Sequence, residues 1–590
     1  MSKVCKLHPD YEVKSKPTSK KDGCICLEIW EEKKEADRLE AIKVKEEEAK
    51  AKEAERQKKI AEIIAQYAKI AKVKNSVTMN DMIDSGYTKD TVAYYFRNLQ
   101  RLNLEARAAH PDSFFDVSIE DARTPESIQK LHDAVDKYKR FIITTAVTGC
   151  QVDADNLAAM KNYCKRMDAH ILVMVASDPT HNKFAPGAKY GSIDLNLIDD
   201  PDVSILFEDV KLNTNLHLST IKITAKQIDQ TTGMMRIAAN KGSFIFASPK
   251  QRLKMVPAAM GKIPYAVMTT GAITEADYLT SNYMSQRTAW IAGEDHMLGG
   301  LIIEIEDDDI YHYRQFQNDE NGSLIDLGIQ YNWDDSVENI TPILIGGDWH
   351  SGSTDPVSIR CKKEMIRQMG VKKFFMHDSF DAVAVNGHEE KDVVLKAQRH
   401  RAGQLDLEAS LVVFANDINM LLDEVEELVI VKSNHDDMLD RWLRKGHYTH
   451  EPINHRLALD LAAQLIDGHD PLIYAAERFG VKDMSRVKWL KLDEDYKVAG
   501  IQLGAHGHKG ANGSRGSLKG MEVCYGQSVT GHSHTPEILR GAWSTGTSTV
   551  LRLSYNSGPS SWMQTDCLVY PNGARQLINI IDGKWCMATQ

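Results

Sequence analysis

Residues Ile343–Asp355 read ILIGGDWHSGSTD: a short apolar run, two glycines, then Asp348 and His350 two residues apart. An apolar run of this kind suits a buried strand, and Asp and His are both metal ligands. One Asp-x-His pair is weak evidence, because such pairs are common in ordinary loops. Four further stretches repeat the arrangement. KKFFMHDSFDAV carries Asp378 and Asp381, and ELVIVKSNHDDMLD carries Asn434, His435 and Asp436. AGIQLGAHGHKGANG carries His506, and CYGQSVTGHSHTPE carries His532 and His534. Each is an apolar strand candidate that runs into oxygen or imidazole ligands. Neighbouring strands lie about 5 Å apart, so these ligands are expected to converge on one edge of a sheet. A mixture of Asp, Asn and His suits Mn, Fe, Zn or Mg-like ions rather than a thiolate site. The five stretches together predict a dinuclear metal centre.

The ordered set resembles the calcineurin-like metallophosphoesterases, whose pattern runs D-x-H, GD-x-x-D, GNH-D/E, a histidine, then G-H-x-H. The resemblance spans residues Thr341 to Glu537 and implies a β-sandwich flanked by helices. It implies that Asp348, His350, Asp378 and His534 hold one metal. Asp378 would be shared with a second metal held by Asn434, His506 and His532. His435 would be the catalytic histidine, oriented by Asp381. His508 is a rival to His506. Two positions depart from the pattern, His377 and Ser433, where the family has glycine. The protein phosphatases of the family resemble GDxxDRG and GNHE, whereas this chain has HDSFDAV and SNHD. The missing arginine after Asp381 argues against a protein phosphatase and favours the phosphodiesterase and nuclease branches. The implied cofactors are two divalent ions, Mn2+ foremost, with Mg2+, Fe2+ or Zn2+ as alternatives. Two cations about 3.5–4 Å apart activate water and neutralise phosphate oxygens, and His435 would protonate the leaving alkoxide.

The N-terminal part reads differently. VCKLHPDYEVKSKPTSKKDGCICLEIW (Val4–Trp30) holds Cys5 and His8 three apart, with Cys24 and Cys26 after a lysine-rich loop. Four soft ligands in two pairs can complete a tetrahedral structural zinc site, which would order a segment with little core. The second pair is C-x-C rather than the commoner C-x-x-C. A stretch without Gly or Pro and dense in Ala, Glu and Lys follows, with Ile60, Ile63, Ile64, Tyr67 and Ile70 as an apolar stripe near its end. It predicts a helix of about 65 Å at ~1.5 Å per residue, a spacer or weak coiled coil and a candidate for self-association. NSVTMNDMIDSGYTKDTVAYYFRNLQRLNL (Asn75–Leu104) resembles a helix-turn-helix. Thr78 would cap a first helix, Gly86 would turn the chain, and Thr88 would cap a second helix. Lys89, Arg97 and Arg101 are its candidate DNA-phosphate contacts; the alternative is a small helical packing unit. From about Phe114 to Asp335, RFIITTAV, DADNLAAMKNYCKRM and HILVMVA form a strand–helix–strand pattern. VSILF, GSFIFA, YAVMTTGAI and GLIIEIE are further strand candidates there, with no phosphate-binding glycine loop.

With 590 residues the chain is too long for one ordinary core. The fold class is α/β multidomain. A zinc-binding segment is expected at 1–28, a long charged helix at 29–74, and a helix-turn-helix-like unit at 75–112. An α/β domain is expected at 113–335 and the metallophosphoesterase domain at 336–590. Nine scattered cysteines argue against a disulfide framework. There is no hydrophobic signal core and no membrane-length apolar run, so the cytoplasm is expected, that of an infected bacterium if the chain is phage-encoded. A net charge of −11 means that any DNA contact must use local positive surface or metal ions. The layout resembles, more loosely, an early host-DNA-degrading protein of large tailed bacteriophages. The expected function is a metal-dependent phosphodiesterase, foremost a DNA nuclease. The alternatives are a small-molecule phosphodiesterase or nucleotidase, and a non-catalytic DNA-binding regulator or scaffold.

Overall fold

The stretch without glycine or proline forms one helix, Cys26–Ala71, of 46 residues, or about 69 Å at ~1.5 Å per residue. Exposed pairs such as Arg38–Glu35 and Lys59–Glu55 lie along its polar part. Its end buries Ile63, Ile64, Tyr67 and Ile70, as the stripe predicts. The computed structural model describes residues 5–18, 23–71, 79–91, 109, 116–177, 191–278, 286–387, 389, 391–492, 494–553 and 556–587. They belong to two units, 1–114 and 115–590. In the first, the short helix Met79–Asp84 buries Met82, and Gly86 takes a φ of 99° that few side chains tolerate. Thr88 accepts the Thr91 amide at 3.3 Å, the cap expected of a second helix. Thr78, Arg97, Arg101 and most of the stretch expected to form the second helix lie outside the described residues, and Lys89 is exposed.

In the second unit, the described strands form sheets of ten, six, five, three and two strands. The six-stranded sheet runs in the order Val487–Leu490, Glu427–Val431, Lys373–His377, Ile343–Ile345, Thr565–Val569, Arg575–Asn579. Its first four strands are parallel. Side chains alternate across such a strand. Leu344, Phe374, Met376, Leu428 and Ile430 enter a core with helices Pro356–Met369, Leu407–Leu422 and Asp436–Arg444. Ile345, Phe375, Val429 and Val431 enter another, shared with the ten-stranded sheet through Leu253, Met268, Val529, Ile538 and Trp543. Helices therefore cover one face of this sheet, and a second sheet covers the other.

The ten-stranded sheet crosses the boundary expected at residues 335 and 336. Glu537–Leu539 pairs with Arg252–Val256, with Ile538 opposite Leu253 and Leu539 opposite Arg252. The Arg252 guanidinium also donates to the Ile538 carbonyl at 2.6 Å. Segments 113–335 and 336–590 thus share a sheet and a core. The strand–helix–strand pattern lies beside them in the five-stranded sheet. There Arg140–Val147 and Ala169–Ala176 pair in parallel around helix Ala154–Met167. No helix among the described residues is long and apolar enough to cross a membrane.

A buried ion network closes the five-stranded sheet. Arg314 donates to both Asp326 oxygens at 2.7 and 2.8 Å and to Glu304 at 2.8 Å. Burial alone would raise the Glu304 carboxyl, but the Arg314 charge and hydrogen bond, the Met587 amide and Arg140 bring it down to about 2. A depressed folded pKa stabilises above the unfolded value of 4.5 and loses that stability as pH falls toward about 2. Glu304→Gln is expected to lower stability by about 3 kcal/mol at neutral pH. Urea unfolding should show the gap from wild type narrowing as pH falls through that window. A gap that does not change with pH would assign the loss to packing alone.

Candidate metal centres

Glycines bring the first ligand into place. A Cβ on Gly346 would sit 2.5 Å from the Phe374 ring, and one on Gly347 would sit 2.8 Å from the Thr547 and Thr565 backbones. Only glycine lets this strand end run flush against its neighbours. Asp566 accepts the Gly347 amide at 2.8 Å and pairs with buried Lys362 at 2.9 Å, fixing the chain one residue before Asp348. The strand Lys373–His377 delivers Asp378 in the same way, and Glu427–Val431 delivers Asn434 and His435. Asp436 staples these two loops. Its carboxylate accepts from Ser379 Oγ, the Phe380 amide, the Ser433 amide and Ser433 Oγ. His506 and the His532–His534 loop arrive from the other sheet, after Ile501–Gln502 and Ser528–Thr530. The ligands therefore meet between two sheets, not on one sheet edge as expected.

Asp348, His350, Asp378 and His534 are buried and bring ligand atoms within 4.8 Å of one another. His350 Nε2 lies 3.4 Å from Asp378 Oδ2, and His534 Nε2 lies 3.0 Å from Asp348 Oδ2. On the other side, His506 Nε2 lies 3.3 Å from the same Asp378 oxygen and 3.2 Å from Asn434 Oδ1. Asp378 is thus central, with imidazoles on two sides. His532 stands behind His506 at 5.4 Å between ring centroids, and His508 stands 5.4 Å from His506. Four of these side chains hold left-handed backbone: His350 (φ 51°), Asp378 (43°), His532 (73°) and His534 (54°). Each costs on the order of 1 kcal/mol or more, a strain that concentrates at functional sites.

The electrostatics call for cations. Burial would raise the Asp378 carboxyl, but His506, His435 and His350 hold it well below its usual range. Burial opposes charge on His350, yet its bond to Asp381 and the Asp378 charge lift it to about 9. Among the described residues, both Asp348 oxygens and Asp378 Oδ1 are buried without a well-aligned hydrogen-bond donor. A metal ion held there could supply the missing partner and would replace protons on the imidazoles, because ligands bind deprotonated. The donor set, carboxylate and imidazole without thiolate, fits divalent first-row metals and Mg.

Asp381 does something other than expected. Its carboxylate binds His350 Nδ1 at 3.0 Å and Ser353 Oγ at 2.6 Å. His435 Nδ1 meets instead the Asp381 backbone carbonyl, at 2.9 Å. The side chain thus hydrogen-bonds a ligand candidate and the main chain hydrogen-bonds His435, while ligand atoms of His350, Asp381 and His435 all lie within 4.8 Å of one another. The next residue, Ala382, holds left-handed backbone (φ 59°). His377, in place of the usual glycine, is fully buried with Nδ1 3.4 Å from His506 Nδ1, and burial pushes it down to about 4. Sequence reasoning missed Ser353 and Trp562, whose ring stands edge-on at 4.0 Å from His534. Ser353 lies inside the opening stretch, but nothing near Trp562 marks it.

The chain is similar to a phage protein over most of the length of both. Protein A1 of Escherichia phage T5 is 27% identical over 504 residues, which cover 79% of this chain and 87% of that one. No family model and no solved structure matches the chain.

In the first unit, Cys5, His8, Cys24 and Cys26 come together. Cys5 Sγ lies 3.9 Å from Cys24 Sγ, and His8 Nδ1 lies 3.3 Å from Cys24, 3.5 Å from Cys26 and 4.0 Å from Cys5. Tetrahedral zinc, with bonds of about 2.3 Å to sulfur and about 2.0 Å to nitrogen, sets its ligand atoms roughly 3.5–3.8 Å apart. Gly23 (φ 83°) turns the chain into Cys24, and Cys26 opens the long helix. Desolvation and the neighbouring thiols push Cys26 up to about 12, while Cys5, against its burial, is brought down to about 6 by backbone and side-chain hydrogen bonds. The spacing and donors could hold one metal ion.

Proposed function

We propose that the chain is a metallophosphoesterase that hydrolyses DNA, with a dinuclear centre in its C-terminal half and a structural zinc at its N-terminus. One observation carries the reading: a single buried carboxylate, Asp378, lies within 3.4 Å of His350 and 3.3 Å of His506. A residue so placed can serve two ions, with Asp348, His350 and His534 on one side and Asn434, His506 and His532 on the other. Bound ions would supply Lewis acidity and lower the pKa of water. The motif order of the metallophosphoesterases supports this assignment, as does the helix–sheet–sheet layering around the site.

The chain's own groups do the rest. The ligand loops exclude bulk water by burial. The Asp381 carbonyl accepts from His435 Nδ1–H; with the ring in its imidazolium form, Nε2–H would give its proton to the leaving oxygen, leaving a neutral Nδ1–H imidazole. Asp381 and Ser353 hold the His350 ring in one tautomer, the usual task of a carboxylate behind a metal-ligating histidine. HDSFDAV and SNHD favour diesters over phosphoproteins. A relative in a phage supports a phage role, and we assign the chain to degradation of host DNA in an infected bacterium. The helix-turn-helix-like segment with Lys89, Arg97 and Arg101 would assist DNA engagement, and the long helix self-association.

Mn2+-dependent hydrolysis of plasmid, linear DNA and bis-p-nitrophenyl phosphate, measured side by side, tests the function. Cleavage of all three is expected. Turnover of the small diester without DNA cleavage would replace the nuclease with a small-molecule phosphodiesterase. For the zinc, elemental analysis of the intact chain should find one zinc fewer in the Cys24→Ser, Cys26→Ser double variant. Unchanged zinc in that variant would remove the site.

A further inference from the structure

The centre is built from carboxylates and the whole chain is acidic, yet a DNA substrate is a polyanion. The hairpin that leaves the metal-ligand candidates His506 and His508 offers the missing positive charge. Lys509 and Arg515 face one another as an antiparallel bridge. The Gly516 amide donates to the His508 carbonyl at 3.0 Å and the Gly510 amide to the Ser514 carbonyl at 2.7 Å, closing the hairpin. Asn512 and Gly513 turn it with φ of 56° and 75°. Its base is locked: a Cβ on Gly516 would lie 1.9 Å from the Gly507 carbonyl, and Gly507 itself takes a φ of 107°. The Gly531 amide donates to the His506 carbonyl at 2.9 Å, so the same base is tied to the His532–His534 loop. From Ala511 to Arg515 every residue is exposed, as is Lys509. Among the described residues neither cation is paired with a carboxylate, unlike Arg540, which Glu522 neutralises on the far side of the following helix.

We propose that the Lys509–Arg515 hairpin is the DNA-backbone clamp of this site, holding phosphates that flank the one being cut. The proposal rests on the phosphodiesterase reading above and adds to it where a long substrate is gripped. Cross-strand side chains stand about 5 Å apart, and a DNA strand advances about 3.4 Å per nucleotide, so the two cations can take successive phosphates. Because the hairpin springs directly from ligand-bearing residues, those phosphates are neighbours of the scissile one. Contacts of this kind position without reading sequence, which fits cleavage without strict specificity.

The test uses the full chain with Mn2+, comparing wild type, Lys509→Ala/Arg515→Ala, the charge-keeping Lys509→Arg/Arg515→Lys, and Lys372→Ala. Lys372 lies at the far end of the strand that delivers Asp378. KM for linear DNA is measured from about 50 to about 200 mM salt, and kcat/KM for bis-p-nitrophenyl phosphate is measured in parallel. In the double alanine variant KM for DNA should rise about tenfold or more, with the salt slope shallower by about two units. The ratio of DNA to small-diester kcat/KM should fall by a similar factor, and the charge-keeping variant should restore it. DNA KM and salt slope like those of wild type would overturn the clamp and leave the nuclease intact. An equal fall on both substrates would overturn it too, by showing that the hairpin shapes the metal centre. If wild-type protein cuts the small diester but not DNA, the nuclease reading fails and the clamp falls with it.

Discussion

Asp378→Ala is expected to remove metal-dependent hydrolysis, with a loss on the order of 10³-fold or more in kcat. Asp378 is the one carboxylate placed between His350 and His506, so its loss opens both halves of the centre at once. Among the described residues its Oδ1 makes no well-aligned hydrogen bond, and its Oδ2 meets His350 and His506 of the same site, so the change is expected to stay local to the site. The variant should keep its circular dichroism spectrum and melting temperature while binding fewer Mn2+ ions by titration calorimetry. Any metal held by Cys5, His8, Cys24 and Cys26 should stay bound, because those residues lie in the other unit. Full turnover by this variant would end the dinuclear assignment.

His435→Ala separates chemistry from metal binding. The side chain meets the centre from the rim, with its ring 4.4 Å from that of His350 and Nδ1 on the Asp381 carbonyl. Its removal should leave Mn2+ stoichiometry unchanged and lower kcat on DNA by about 10²–10⁴-fold, the usual worth of a proton donor. The leaving group supplies a sharper readout. A deoxyribose alkoxide needs a proton to depart, whereas p-nitrophenolate leaves readily without one. The loss on bis-p-nitrophenyl phosphate should therefore be much smaller than the loss on DNA. Equal losses on both substrates would make His435 a phosphate-orienting group, and loss of metal would make it a ligand.

Much of the site was legible because its chemistry sits at strand ends. An apolar run of four or five residues followed by Asp or His is a pattern that survives without any knowledge of the fold. The strands Lys373–His377 and Glu427–Val431 fall where KKFFMH and ELVIV place them. The strand–helix–strand unit and the end of the long helix were legible for the same reason, because periodicity marks which face is buried. Three features were not. The meeting of ligands between two sheets depends on pairings across hundreds of residues, such as Asp348 beside Thr547. The strand Tyr311–Gln317 is buried throughout but carries His312, Arg314 and Gln315, so it shows no apolar alternation. Its polar groups are matched by partners remote in sequence, Glu304 and Asp326 for Arg314. The Asp381 carboxylate meets His350, 31 residues earlier, rather than His435, and nothing in the local sequence chooses between the two rings.

The pairing of Arg252–Val256 with Glu537–Leu539 bears on how this protein can be divided. A piece beginning at residue 336 would keep every ligand candidate of the dinuclear centre and look complete on paper. It would also leave Glu537–Leu539 without one of its ladder partners, three residues after His534, and uncover Ile538 and Trp543, both now at 0% exposure. A bare apolar edge of this sort recruits other chains. An expression vector that cut there is therefore expected to yield an aggregating fragment rather than a soluble one. The compact unit is 115–590, and the strands before residue 336 belong to the same fold as the candidate metal centre.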